Sequence, residues 1–159
     1  MSEQKGNATS CSGALGVSLT VAAEIVDRAL AHGRSLGLGP LTVVVLDCAG
    51  RAVVLKREDG SSLLRPDIAN AKAWGALAMG MGSRGLAERA STHPAFITAV
   101  STLAGGNLIP VPGGVLLRGG DGALLGAVGV SGALPDQDEQ CALAAIAAVG
   151  LAAQVGSGH

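Results

Sequence analysis

The chain has 159 residues, a formal net charge of -1 at neutral pH, 14% charged residues and 1% aromatic residues. The near-neutral charge excludes a strongly basic nucleic-acid surface, and Trp74 and Phe96 are too few aromatic side chains for a base-stacking platform. A surface with so few charges predicts that apolar area is buried between copies of the chain, so we expect a homo-oligomer.

The predicted location is the cytoplasm, and neither a membrane nor a nucleic acid is a predicted partner. The first residues carry one basic side chain, Lys5, and lack the apolar run of a signal peptide. The uncharged stretch at residues 140–159 is too short and too weakly apolar to span a bilayer. Cys11, Cys48 and Cys141 form no C-x-x-C pair, so we expect thiols in a reducing compartment.

The chain begins with a segment that differs in composition from the rest. Residues 1–18 are rich in Ser, Gly and Asn and are predicted to form a flexible arm, with a single domain over residues 19–155. Thr20 is the predicted N-cap of a helix that continues to about Leu36, where glycines follow. Its apolar residues recur at helical spacing and leave the charged residues on the opposite face.

A hairpin and further helices are predicted next. The β-branched runs at 41–46 and 52–56 flank a short glycine-containing turn, which is typical of two antiparallel strands. A proline at the first position predicts a helix over residues 66–81, followed by a short helical piece at 84–89. Residues 96–103 fit either a helix or a loop.

The last third of the chain predicts three strands and one helix. The strands are expected at 108–111, 115–118 and 123–130, separated by Pro-Gly and Gly-Asp-Gly turns. A helix is expected to begin at Pro135, with acidic residues in its first turn, and to run without charge from 140 to 154. A hairpin followed by a three-stranded meander predicts an α+β domain with a five-stranded antiparallel sheet and helices packed on it.

A set of short motifs recurs in an order and spacing that resemble one known family. The motifs are, in order, Asp47-x-x-Gly50, Arg57-x-Asp59-Gly60, Asp67-Ile68-Ala69-x-x-Lys72-Ala73, Asn107-Leu108, Pro112-Gly113-Gly114-Val115, Gly126-Ala127-Val128-Gly129-Val130-Ser131-Gly132 and Gln137-Asp138-Glu139. From about residue 19 to 153 the chain resembles the GlcG/HbpS family of small heme-binding proteins, which also occurs as the C-terminal domain of PduO-type proteins. The resemblance implies a profilin-like fold, homo-oligomers and, in some members, heme as the cofactor.

The resemblance also implies a position for the iron ligand. In PduO-type members the first helix supplies an axial histidine, and His32 is the position that could match, which makes it the candidate cofactor and metal ligand. Arg57 and the loop formed by Pro112, Gly113 and Gly114 are further candidate cofactor-binding residues, since free amides in such a loop can hold an anionic group. We expect the pocket between the first helix, the helix that carries Lys72 and this loop, either within one chain or shared between subunits.

Lys72 is the only charge from residue 68 to 81, on a helix that is otherwise apolar or small nearly all round. A desolvated lysine is suited to acid–base or Schiff-base chemistry, but it is equally a structural lysine that snorkels or pairs with a carboxylate. Asp138 and Glu139 fit a helix start, where the helix dipole favours carboxylates, or a charged corner in which one of them meets Lys72 or Arg57. His93, before a proline in a predicted loop, is a further acid–base candidate.

Three functions are therefore compatible with the sequence. The first is a small-ligand-binding protein that holds heme or a molecule of similar size in an oligomeric scaffold. The second is a cofactor-independent isomerase, dehydratase or lyase that uses Lys72 with Asp138, Glu139 or His93 for proton transfer. The third is an auxiliary partner of a catabolic or biosynthetic enzyme.

Overall fold

The computed structural model describes residues 16–157 and contains five helices and five strands in that range. The helices are α1 (Leu19–Ser35), α2 (Arg65–Met79), α3 (Ser83–Thr92), α4 (Pro94–Leu103) and α5 (Pro135–Ala148). The strands are β1 (Thr42–Leu46), β2 (Ala52–Arg57), β3 (Gly114–Arg118), β4 (Leu124–Ser131) and β5 (Ala152–Gln154). Most of the predicted flexible arm, residues 1–15, lies outside the described residues.

The strands form one antiparallel sheet in the order β2-β1-β4-β3-β5. The predicted hairpin is present as β1 and β2, and β1 pairs on its other side with β4, so that Thr42 lies opposite Ser131. The predicted five-stranded antiparallel α+β fold is therefore confirmed.

The identity of the fifth strand differs from the prediction, which was wrong. Residues 108–111 are not a strand; prolines at 110 and 112 remove two backbone donors, and Leu108 instead packs beside Gly75 of α2. The missing strand is β5, which pairs with β3 after the last helix ends at Ala148 rather than at residue 154. Gly150, with a φ of 73°, allows the chain to turn back at that point.

Two helix boundaries are also clearer in the structure. The N-cap of α1 is Ser18 instead of Thr20, since the Ser18 hydroxyl accepts a hydrogen bond from the amide of Val21 at 3.2 Å. The ambiguous segment at 96–103 is part of helix α4, which begins with Pro94 at its first position.

The two faces of the sheet carry different helices. Alternate side chains of β1, β3 and β4 point to opposite faces, so each face has its own apolar cluster. One cluster packs against α1 and α5, and the other packs against α2. The first helix and the helix that carries Lys72 therefore lie on opposite faces of the sheet.

Glycines allow α2 to lie unusually close to the sheet. A Cβ atom at Gly129 of β4 would overlap the carbonyl oxygen of Ala69, and one at Gly114 of β3 would overlap the carbonyl oxygen of Lys72. Glycine at these two strand positions therefore lets the helix backbone come into contact with the sheet.

One of the two described cysteines differs from its predicted state. Cys141 is a buried free thiol, and burial raises its pKa to about 11. Cys48 is disulfide-bonded, which contradicts the expectation of reduced thiols, one of the grounds for the cytoplasmic prediction.

None of the helices within residues 16–157 is long and apolar enough to cross a membrane.

Replacing Gly129 by alanine tests the close approach of α2 to the sheet. We expect Gly129→Ala to lower the free energy of unfolding by roughly 1–3 kcal/mol or more, because the added methyl group has no space. Gly39→Ala is the matched control, since no atom lies within 4 Å of its added Cβ, and should leave stability unchanged. Equal denaturant midpoints for the two variants would contradict this packing.

Candidate functional site

Two of the charged residues that the sequence singled out, Lys72 and Asp138, meet where β4 ends and β3 begins. The Lys72 Nζ donates to Asp138 Oδ2 at 2.9 Å and to the carbonyl oxygen of Val130 at 3.1 Å. The side chains of Lys72 and Asp138 are 3% and 1% exposed. Asp138 Oδ1 accepts from the amide of Ala133 at 2.9 Å, so both carboxylate oxygens have a donor.

This ion pair joins the two layers of helices. Lys72 projects from α2 on one face of the sheet, and Asp138 lies in the first turn of α5, which packs on the other face. The contact is made beside β4, where the carbonyl oxygen of Val130 takes part in it. The lysine therefore pairs with a carboxylate of the last helix, as one of the sequence-based alternatives stated.

The Pro112–Gly114 loop lies directly over the pair. A Cβ at Gly113 would be 3.0 Å from the Lys72 Nζ and 3.2 Å from the Cβ of Asp138, and the φ of this glycine is 123°. The hydroxyl of Ser83 accepts from the amide of Gly114 at 2.7 Å and fixes the loop to α3. The loop therefore covers the ammonium group, and Lys72 lines none of the four clefts described below.

Opposing influences act on the pKa of the Asp138 carboxyl. Burial raises its pKa above the ordinary value, and the charge and hydrogen bond of Lys72 and the amide of Ala133 partly offset this effect. The pair is thus a desolvated contact in which each partner depends on the other.

Arg84 extends the charged cluster towards solvent. Its Nε donates to Glu139 Oε1 at 2.9 Å, and its Nη2 donates to Asp136, so one guanidinium holds two carboxylates of α5. These hydrogen bonds, that of Asp136 first, raise the pKa of Arg84. Glu139 is 7% exposed, and its Oε2 has no hydrogen-bond partner among the described residues. Glu139 therefore meets Arg84, not Lys72 or Arg57.

The two candidate histidines lie away from this cluster. His32 is half-buried in the last turn of α1, and its Nε2 is buried without a hydrogen-bond partner in the part of the chain that the structure describes. His93 is exposed at the junction of α3 and α4, where its Nδ1 lies 2.9 Å from the Thr92 hydroxyl.

The expected pocket between the first helix, the Lys72 helix and the proline loop is not formed within one chain. Because α1 and α2 lie on opposite faces of the sheet, no single cleft can be lined by both within one chain. Arg57 lines a separate cleft of about 520 Å³ with Leu30 and Arg34. His32 is about 200° around the helix from Leu30, so it faces away from Arg57.

Two further clefts lie on the α2 and α4 side of the molecule, and a small one surrounds Trp74. The first, of about 320 Å³, lies along α4 and includes Pro94, Ile97 and Pro110. The second, of about 390 Å³, lies between the start of α2 and the loop at residues 105–109. No group of three His, Cys, Asp or Glu side chains within residues 16–157 is arranged to hold a metal ion.

Sequence comparison places this chain in a family. The model of the haem-degrading protein HbpS-like family matches residues 17–147. The chain belongs to the HbpS-like family, which confirms the resemblance indicated by its motifs.

A curated relative and several solved structures are similar to this chain. The corrinoid adenosyltransferase PduO of Salmonella typhimurium strain LT2 is 33% identical over 110 residues, 69% of this chain. The aligned region spans only 32% of PduO, so the chain matches about a third of that protein's length. A structure of a PduOC:heme complex has a TM-score of 0.78 and 27% identity, over 86% of this chain and 97% of that one.

Two other structures share the fold. A double mutant of HbpS from Streptomyces reticuli has a TM-score of 0.72 and 25% identity, over 93% of this chain and 94% of that one. The ORFY protein of Klebsiella pneumoniae has a TM-score of 0.75 and 22% identity, over 87% and 94% of the two chains. The latter likeness concerns the fold alone.

Removing Lys72 should destabilise the protein in a pH-dependent way. In Lys72→Met, burial remains the main influence on the pKa of Asp138. The pKa of this carboxyl in the folded state therefore rises further above its value in the unfolded chain. We expect a loss of about 3–5 kcal/mol at neutral pH, because the charged carboxylate is buried without its partner. As the pH falls through the raised pKa, the folded state binds a proton more readily than the unfolded chain, and part of the loss is regained.

Urea unfolding of the wild type and Lys72→Met at several pH values provides the measurement. Lys56→Met is the matched control, because Lys56 pairs with Asp27 at the surface, where both side chains are more than half exposed. Its effect should stay below about 1 kcal/mol at every pH. A Lys72→Met effect that is equally small, or that grows on acidification, would contradict the assignment.

Proposed function

We propose that this protein binds heme within a homo-oligomer and that His32 supplies the axial iron ligand. The observation that carries the proposal is the buried, unpartnered Nε2 of His32 among the described residues. An imidazole nitrogen that makes no hydrogen bond keeps its lone pair for a metal, and it can bind heme iron once the ring turns to bring this nitrogen to the surface. Membership of the HbpS-like family and the similarity to a PduOC:heme complex support the choice of this cofactor.

The surroundings of His32 fit one side of such a site. The ring is half-buried. A rotation about its χ2 angle turns the ring over, so that the edge that faces inwards comes to face outwards. Leu36, one turn further and on the same side of the helix, is 43% exposed and can contact an apolar macrocycle. Arg28, one turn earlier, is a surface cation able to pair with a propionate, although in this structure it contacts Glu24. Bound heme would supply an iron centre for ligand-binding or redox chemistry, and His32 would hold it.

A second copy of the chain is proposed to complete the site. His32 lines none of the four clefts described above, so one chain does not enclose a heme-sized molecule beside it. The chain also has apolar surface available for assembly: residues 90–117 contain no Asp, Glu, Lys or Arg. In this region Phe96 and Leu103 are 48% and 89% exposed.

The geometry gives less support to an acid–base enzyme. Lys72 and Asp138 are joined in a covered ion pair, and a catalytic group must reach its substrate within hydrogen-bond distance. Glu139 is held by Arg84, and His93 is remote from both pairs in an exposed junction. No observation within the described residues selects an auxiliary role over ligand binding.

Hemin titration of the wild type and His32→Ala tests the proposal. We expect a sharp, saturable Soret band for the wild type and a shifted or weaker band for His32→Ala, with an affinity at least about tenfold lower. Because the Nε2 makes no hydrogen bond, the variant should unfold at the same temperature as the wild type. His93→Ala is the matched control and should bind like the wild type. Identical spectra for wild type and His32→Ala would contradict the axial role.

A further inference from the structure

The cleft between α2 and the loop after α4 has the make-up of a small-molecule site. Its volume of about 390 Å³ lies within the roughly 300–1000 Å³ of typical ligand pockets. Leu64, Ile68 and Ile109 contribute apolar walls, and the polar side chains at the cleft are Asp67, Asn70 and Asn107. No lysine, arginine or histidine is among its lining residues.

Asp67 is a carboxylate without a partner at this cleft. It is exposed and makes no hydrogen bond or ion pair with any residue in the described range 16–157. The neighbouring cations of α2 are engaged elsewhere: Arg65 donates to the Ser131 hydroxyl at 3.1 Å, and Lys72 is paired with Asp138. The negative charge of Asp67 therefore has no counterion among the side chains that line the cleft.

Two amides stand next to this carboxylate. Asn70 is three residues after Asp67 and lies on the same side of the helix, and its Nδ2 donates to Asn107 Oδ1 at 3.0 Å. The two amides share this single hydrogen bond, so one carbonyl oxygen and one amino group are left without a partner among the described residues. The cleft thus offers a carboxylate and an amide oxygen, two acceptors, beside an apolar wall.

We propose that this cleft binds a small organic monocation, such as a primary ammonium compound with an apolar body. The ammonium donates hydrogen bonds to Asp67 and to the free amide oxygen, and the apolar body packs against Leu64, Ile68 and Ile109. Within one chain this cleft is separate from His32, because α2 and α1 lie on opposite faces of the sheet. The proposal therefore does not depend on heme binding.

Titration of the labelled protein with benzylammonium, followed by NMR, tests this inference. The side-chain NH₂ signals of Asn70 and Asn107 report directly on the cleft. Benzyl alcohol serves as the neutral probe with the same apolar body. We expect saturable shifts of both signals with benzylammonium. The affinity for benzyl alcohol should be lower than that for benzylammonium by about threefold or more, the scale expected for an exposed charge contact.

Asp67→Asn separates the charge from the shape of the cleft. It should reduce the affinity for benzylammonium to that for benzyl alcohol and leave the binding of the alcohol unchanged. Asp59→Asn, the same change at an exposed position outside this cleft, should have no effect. Linear shifts without saturation, equal affinities for amine and alcohol in the wild type, or an unchanged amine affinity in Asp67→Asn would each overturn the proposal.

Discussion

Two opposite charges buried at the end of the sheet connect its two helical layers. A buried ion is costly unless its partner and the remaining hydrogen bonds are supplied, and here both requirements are met by residues from both faces. Lys72 comes from α2, Asp138 comes from α5, and the backbone of Val130 and Ala133 completes their hydrogen bonds. Each layer therefore supplies the counterion for a charge of the other layer. The ion pair holds α2 and α5 at the same end of the sheet.

The same requirement explains the surrounding residues. Glycine is needed at position 113 because a side chain there would press on the ammonium, and the loop can cover the pair only with a positive φ at this residue. Arg84 then holds the two neighbouring carboxylates of α5, of which Asp136 is exposed and Glu139 is buried. The most conspicuous charges of the chain thus form part of its framework. The ligand sites that we propose lie elsewhere: beside His32, whose Nε2 has no hydrogen-bond partner among the described residues, and at the Asp67 cleft on the opposite face of the sheet.

Much of the fold could be predicted from local patterns, and the remainder depends on tertiary pairing. The β-branched runs of β1 and β2 and the glycine turns indicate their structure directly, and Lys72 followed by an acidic helix start indicated an ion pair. By contrast, β5 is three residues within an Ala-rich segment, and only its pairing with β3 makes it a strand. Arg84 has the appearance of an ordinary surface residue of a helix. The opposite placement of α1 and α2 depends on tertiary packing that no local pattern specifies, and this placement excludes the expected pocket within one chain.

The central claim is that Lys72 and Asp138 stabilise the fold through each other. A double-mutant cycle of Lys72→Met and Asp138→Asn, with free energies of unfolding from urea denaturation at neutral pH, measures this dependence most directly. The account predicts that the double variant is more stable than the sum of the single effects implies, by about 1.5 kcal/mol or more. Single effects that add to within about 0.5 kcal/mol would show that the two residues act independently and would contradict it.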